Sequence, residues 1–159
     1  APGLAHQTVV GEIFRQIANY LVGKRCRPFV APFDVRLPYG NEEDDDINTV
    51  LQPDIAVICD PAKLDERGCR GAPDWVIEVL SPSTAAKDQI QKLAAYERAG
   101  VGEVWLVHPT DHVVVIYTVG AGQSYGKPAI YETTGVLAPG LFPDLTIEWD
   151  LVFPPPSPP

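Results

Sequence analysis

The chain has 159 residues, 45% apolar and 21% charged, which suits one globular domain with a real hydrophobic core and leaves little room for a second full domain. A net charge of −9 argues against coating nucleic acid through bulk electrostatics, although an enzyme with a locally basic cleft stays open. No apolar run approaches the length of a membrane span and the first residues lack a basic cap followed by a greasy stretch, so a cytoplasmic protein with no membrane partner is expected.

From about Ala5 to Val22 the apolar residues Val9, Val10, Ile13, Phe14, Ile17, Tyr20 and Leu21 recur at helical spacing, and Gly23 supplies the stop. Glu12 lies beside this apolar arc. His6 projects into it, where a capping or packing role is the expected one. Arg27–Ala31 and Asp34–Leu37 read as short strand segments separated by the Pro32 break, as in one bent hairpin arm. The acidic run Glu42-Glu43-Asp44-Asp45-Asp46 reads as a solvated, mobile loop, because the spaced ligands and central glycine of a calcium loop are missing. Pro53–Cys59 is the next strand, and the charged, glycine-containing stretch from Lys63 to Ala72 reads as a surface connection.

Trp75, Val76, Ile77, Val79 and Leu80 leave no polar face, so this run predicts a central strand covered on both sides. Its one carboxylate is Glu78. A lone ionised carboxylate taken out of water costs several kcal/mol, so Glu78 must meet a cation, carry a proton or point into a wet cleft. Ser81, Ser83 and Thr84 offer helix-capping hydroxyls, and a helix is expected from there to Ala99, with Ala86, Ile90, Leu93, Ala94 and Tyr96 facing the core and Gly100 as its stop. Val104–Val107 follows as an apolar strand, and strand, helix, strand with short joints predicts that the two strands are parallel neighbours. Val113–Val119 and Lys127–Thr133 predict an antiparallel extension, and Leu141–Phe153 a short closing segment. The domain is therefore set at residues 1–153, with 154–159 as a proline-rich extended tail. Cys26, Cys59 and Cys69 are odd in number and widely spaced, so neither a disulfide framework nor a zinc site is expected.

Asp54 opens one strand and Glu78 sits within another. If those strands are neighbours, two close carboxylates repel unless a proton or cation lies between them, and Mg²⁺ or Mn²⁺ with hard oxygen ligands is the economical answer. Asp88 and Lys92 lie one helical turn apart; they make either an ordinary surface pair or, if Lys92 leans over the sheet, an ammonium beside the carboxylates. No serine or cysteine lies in a nucleophile motif with His6, His108 or His112.

Pro53-Asp54, the segment from Glu78 to Thr84, then Asp88 with Lys92, Tyr96, Gly100-Val101 and Glu103–Val107 resemble the Uma-two family of restriction-endonuclease-like proteins, within the PD-(D/E)xK nuclease superfamily. The resemblance spans roughly His6 to Phe153. It implies an α/β (α+β) fold with a restriction-endonuclease-like core, a mixed β-sheet flanked by helices, and a metal held by Asp54 and Glu78. Two departures accompany it. Leu80 stands where the superfamily has lysine, with Lys92 as the family's migrated equivalent, and His108 stands where relatives usually have aspartate, on the rim of the cleft. The expected function is Mg²⁺- or Mn²⁺-dependent hydrolysis of DNA phosphodiester bonds by a homodimer, with Asp54, Glu78 and Lys92 catalytic and Glu12, Asp34 and Asp88 as outer-shell supports. The rivals are a nuclease fold that no longer cuts and acts as an interaction or nucleic-acid-binding module, and a glycosidase using the paired carboxylates.

Overall fold

The computed structural model describes residues 2–82 and 86–158. The amphipathic opening folds as helix α1 (Leu4–Leu21), burying Val9, Val10, Ile13, Ile17 and Leu21 as one stripe, and Gly23 ends it with φ +74°. Next in order come β1 (Arg27–Val30), β2 (Val35–Arg36), β3 (Val50–Leu51), β4 (Ile55–Ile58), β5 (Leu64–Asp65), β6 (Gly68–Arg70) and β7 (Trp75–Val79). The second half contains α2 (Ala86–Ala99), β8 (Glu103–His108), β9 (Val113–Thr118), β10 (Ala129–Glu132), β11 (Val136–Leu137), β12 (Ile147–Glu148) and α3 (Trp149–Val152).

The main sheet is mixed, in the order β1-β4-β7-β8-β9-β10, and only β7 and β8 run parallel. That parallel pair is the crossover through α2 expected from the sequence, and β9 and β10 form the expected antiparallel extension. Every residue of β4 and β7 is buried, as a doubly covered strand requires. Side-chain alternation divides the core in two. Ile55, Val57, Trp75, Ile77, Val79 and Trp105 pack with α1 and α3. Ala56, Ile58, Val76 and Val104 pack on the other face with Tyr96 of α2 and with the smaller sheet.

That smaller sheet, β3-β2-β6-β5, corrects three expectations. Residues 63–72 are not a plain surface connection: β5 and β6 lie there, and Cys69 is fully buried. The segments on either side of Pro32 do not form one arm, because β1 joins the main sheet and β2 the smaller one. Nor is the acidic run a free loop. Asp44–Asp46 form a 3-10 turn in which Asp44 meets Arg36 at 2.9 Å and Arg70 at 2.6 Å, while Glu42 accepts the amides of Tyr39 and Gly40 at 2.8 and 2.6 Å. The run balances cations of the smaller sheet, one of which, Arg70, lies 26 positions from Asp44, so its local charge pattern was misleading.

Helix α2 lies where expected, but Ile90 is 69% exposed and Ala86 and Ala94 are also on the surface. Leu93 and Tyr96 make the expected contact with the core, joined by Ala95 and Ala99. Ile90 stands about 100° of helical rotation away from its neighbour Gln89, which faces inward. The predicted caps Ser83 and Thr84 lie outside the described residues. Cys26 and Cys59 form a disulfide, against expectation. The β1–β4 register sets Arg27 opposite Ile58, so the residues just beyond them meet across the strands despite a separation of 33 in sequence. Such a bond is typical of oxidising surroundings, so the cysteines give the cytoplasmic expectation no support. Among the described residues no helix is long and apolar enough to cross a membrane.

Candidate functional site

On β7, Ile77 and Val79 face α1, so strand alternation turns Glu78 to the α2 face. Neighbouring β4 pairs Ile55 with Ile77, which brings Asp54, the residue before β4, level with Glu78. The two acids are interlocked through backbone. The Asp54 amide donates to Glu78 Oε1 at 2.9 Å, and the Val79 amide donates to Asp54 Oδ2 at 2.7 Å. Each carboxylate is thus oriented by the strand that carries the other.

Side chains from α1 and α2 complete the pocket. Tyr96 Oη donates to Glu78 Oε2 at 3.2 Å, and Lys92 Nζ lies 3.5 Å from the same oxygen. Lys92 and Tyr96 are successive turns of α2, so the helix that follows β7 bends back over its acid. From α1, His6 Nε2 stands 3.2 Å from Asp54 Oδ2. Leu80 and Gln89 finish the lining.

Burial is the largest influence on Glu78 and pushes its carboxyl pKa above the usual value; the Asp54 charge adds to that rise and the Lys92 ammonium opposes it. Burial and the Glu78 charge raise the Tyr96 hydroxyl well above its ordinary range, so it stays a proton donor. The Glu78 side chain is 7% exposed against 40% for Lys92, so the ammonium occupies the mouth and the carboxylate the floor.

Of the residues singled out in the sequence, Asp54, Glu78 and Lys92 therefore come together. The three outer candidates do not line this pocket. Glu12 pairs with Arg15, Asp34 accepts from Gln52 Nε2 at 2.7 Å, and Asp88 faces the next groove along α2. His108 lines a separate depression that shares Leu80 and Gln89 with the pocket. Sequence reasoning gave His6 a packing role and passed over Gln89. The signal for His6 was its place on the apolar arc of α1; Gln89 gave none beyond sharing a face with Lys92.

Among the described residues no group of three or more His, Cys, Asp or Glu side chains is arranged to hold a metal ion. A hard divalent cation needs fewer protein ligands, since one or two carboxylates with waters complete its shell. The donor set here fits that case through Asp54: its Oδ2 accepts the Val79 amide and meets His6, Glu78 Oε1 accepts the Asp54 amide, Glu78 Oε2 faces Tyr96 and Lys92, and Asp54 Oδ1 has no partner among the described residues.

A family model described as "Putative restriction endonuclease", Uma2, matches residues 1–150. The chain belongs to the Uma2 family. Among solved structures, "a putative nuclease belonging to DUF820 from Anabaena variabilis" superposes with a TM-score of 0.73 at 20% identity, covering 96% of this chain and 82% of that one. At that identity the likeness concerns the fold, and it agrees with the expected mixed sheet flanked by helices. No curated protein matches the chain. Within this Uma2 fold, the pocket lies where β4, β7, α1 and α2 converge.

Proposed function

We propose that the chain is an endonuclease that hydrolyses DNA phosphodiester bonds with a divalent ion, Mg²⁺ or Mn²⁺, at the Asp54–Glu78 pocket. The observation that carries this reading is the interlocked acid pair with an ammonium at its mouth, in a chain of the Uma2 family. Held by Asp54 and Glu78, the ion would polarise a phosphate oxygen and lower the pKa of a bound water. The chain's own groups fix and balance that chemistry. The amides of Asp54 and Val79 hold the two carboxylates in register, and Tyr96 keeps Glu78 turned toward the pocket. Lys92 offsets charge that builds on the phosphoryl oxygens as the water attacks phosphorus and the P–O bond to the leaving strand breaks. Cutting both strands of a duplex calls for two pockets. A homodimer through the sheet edge at β10, where Ile130 and Tyr131 are exposed, is part of this proposal, and sedimentation measures it.

The nicking of a supercoiled plasmid with Mg²⁺ or Mn²⁺ tests the chemistry. The parent should cut and EDTA should stop it. Asp54→Ala and Glu78→Ala should be inactive, and Lys92→Ala should lose roughly 10²- to 10³-fold, as for loss of a preorganised charge-stabilising donor. One observation favours a second reading, a nuclease fold that binds without cutting. Lys92 is already paired with Glu78, and Leu80 puts no second ammonium at the pocket. Absence of nicking by the parent, or equal nicking by all variants, leaves that reading standing.

A further inference from the structure

Lys92 belongs to two concavities at once. On one side it closes the acid pocket, and on the other it lines a longer groove between α2 and the 39–51 segment. The far end of that groove carries Tyr39, which is 76% exposed, an unusual state for a large aromatic side chain. One face of its ring is backed by the Arg98 guanidinium, 3.7 Å from the ring centroid. Arg98 is itself fixed, donating to the carbonyl of Leu37 at 3.0 Å and to that of Pro38 at 3.3 Å. Tyr39 is therefore a braced aromatic plate with solvent on its remaining surface, held in place before any ligand arrives.

The charge along the groove runs against that of the molecule. Lys92 and Arg98 line the groove with one carboxylate, Asp88, on a chain whose net charge is −9; outside the lining, Lys92 also faces Glu78 at 3.5 Å and Glu42 accepts the Tyr39 amide at 2.8 Å. Asn48 and Gln91, both exposed, add amide donors and acceptors to the walls. A flat π-surface backed by a guanidinium, amides able to meet base edges, and a few cations beside a phosphodiester-cutting pocket are the features that hold an unpaired nucleotide. A duplex keeps its base faces stacked on one another and, except at its two ends, offers none to Tyr39.

We infer that the groove from Lys92 to Tyr39 is a binding track for an unpaired nucleic-acid strand, with one base stacked on Tyr39. It names the substrate class of the proposed nuclease, an unpaired strand, a duplex with an unpaired flank or the locally unpaired stretches of a supercoiled plasmid, and rests on that reading for its biological sense. Its test does not depend on cleavage.

Binding of a short fluorescein-labelled single-stranded oligonucleotide and of the matching blunt duplex is measured by anisotropy on the full chain in EDTA, where no cutting occurs. The single strand should bind more tightly than the duplex. Tyr39→Ala should weaken single-strand binding roughly five- to 150-fold, the loss typical of one stacked base, while Tyr39→Trp retains it. With two cations in the groove, the affinity should fall with salt at a log–log slope of about −1.4. An oligonucleotide carrying 2-aminopurine should be quenched by the parent and not by Tyr39→Ala. Equal affinity of parent and Tyr39→Ala, no preference for the single strand, or no measurable binding by the parent overturns the inference. Plasmid nicking that depends on Asp54, without strand binding that depends on Tyr39, retains the catalytic proposal and discards this one; the reverse result does the opposite.

Discussion

Glu103 is a second buried carboxylate in the sheet, and it has no part in the pocket. It accepts the Trp105 indole N–H at 2.6 Å and the Gly140 amide at 3.0 Å, pinning the 140 segment to the edge of β8. Burial raises its pKa above the ordinary 4.5 in spite of those donors. The folded chain therefore binds this proton more tightly than the unfolded chain. The stability Glu103 contributes is complete below pH 4.5 and is lost as pH rises through its folded pKa. Glu103→Gln removes that titration. The difference in unfolding free energy, variant minus parent, should climb with pH through the window above 4.5 and then level off. Urea titrations at a series of pH values measure it, and a flat difference would show that Glu103 is held no differently in the two states. Cys69, the buried free thiol, has its pKa pushed up to about 11 by burial. It should resist iodoacetamide at pH 8 until the chain unfolds, as mass spectrometry reads directly.

Helix α2 separates the face that packs from the face that does not. Ile90→Lys should change stability by less than about 0.5 kcal/mol, whereas Leu93→Ala should cost more, because Leu93 packs against the sheet and Ile90 stands in solvent. At β6 a glycine is required. Gly68 has φ +123°, and a Cβ there would lie 2.3 Å from the Asp34 carbonyl oxygen, a backbone atom that cannot step aside. Gly68→Ala should lower the thermal midpoint by several degrees, and circular dichroism melts of parent and variant show whether the smaller sheet is as tightly built as its register indicates. The elements carrying the acid pair were readable in the sequence because their signals are local. β7 is an unbroken apolar run, its parity fixes where Glu78 points, and helical spacing brings Lys92 and Tyr96 to one side. Of the smaller sheet the sequence showed the Asp34–Leu37 segment that holds β2; the sheet itself was hidden because its strands span two or three residues, too short for a period to show, and their pairing joins segments far apart in the chain.

At the scale of the molecule the hidden features are those that depend on long-range closure. His6 reaches Asp54 across 48 positions, and the acidic run finds its arginines at Arg36 and Arg70. The apolar arc shows that His6 turns inward but not that Asp54 meets it, and nothing local ties the acidic run to Arg70. The cysteines teach the same lesson, since an odd and widely spaced set argued against a disulfide framework while strand register pairs two of them. Reducing the Cys26–Cys59 bond should cost about 2–4 kcal/mol, seen as a drop in the denaturant midpoint with a phosphine reductant. Denatured without reductant, the chain should take up one alkyl group, and after reduction three. The Cys26–Cys59 bond also makes β1 to β4 a covalent ring, with Asp54 inside it and Glu78 and Lys92 outside. A protease that nicks the backbone anywhere between those cysteines leaves one molecule, heavier by a single water, which separates into two pieces only on a reducing gel.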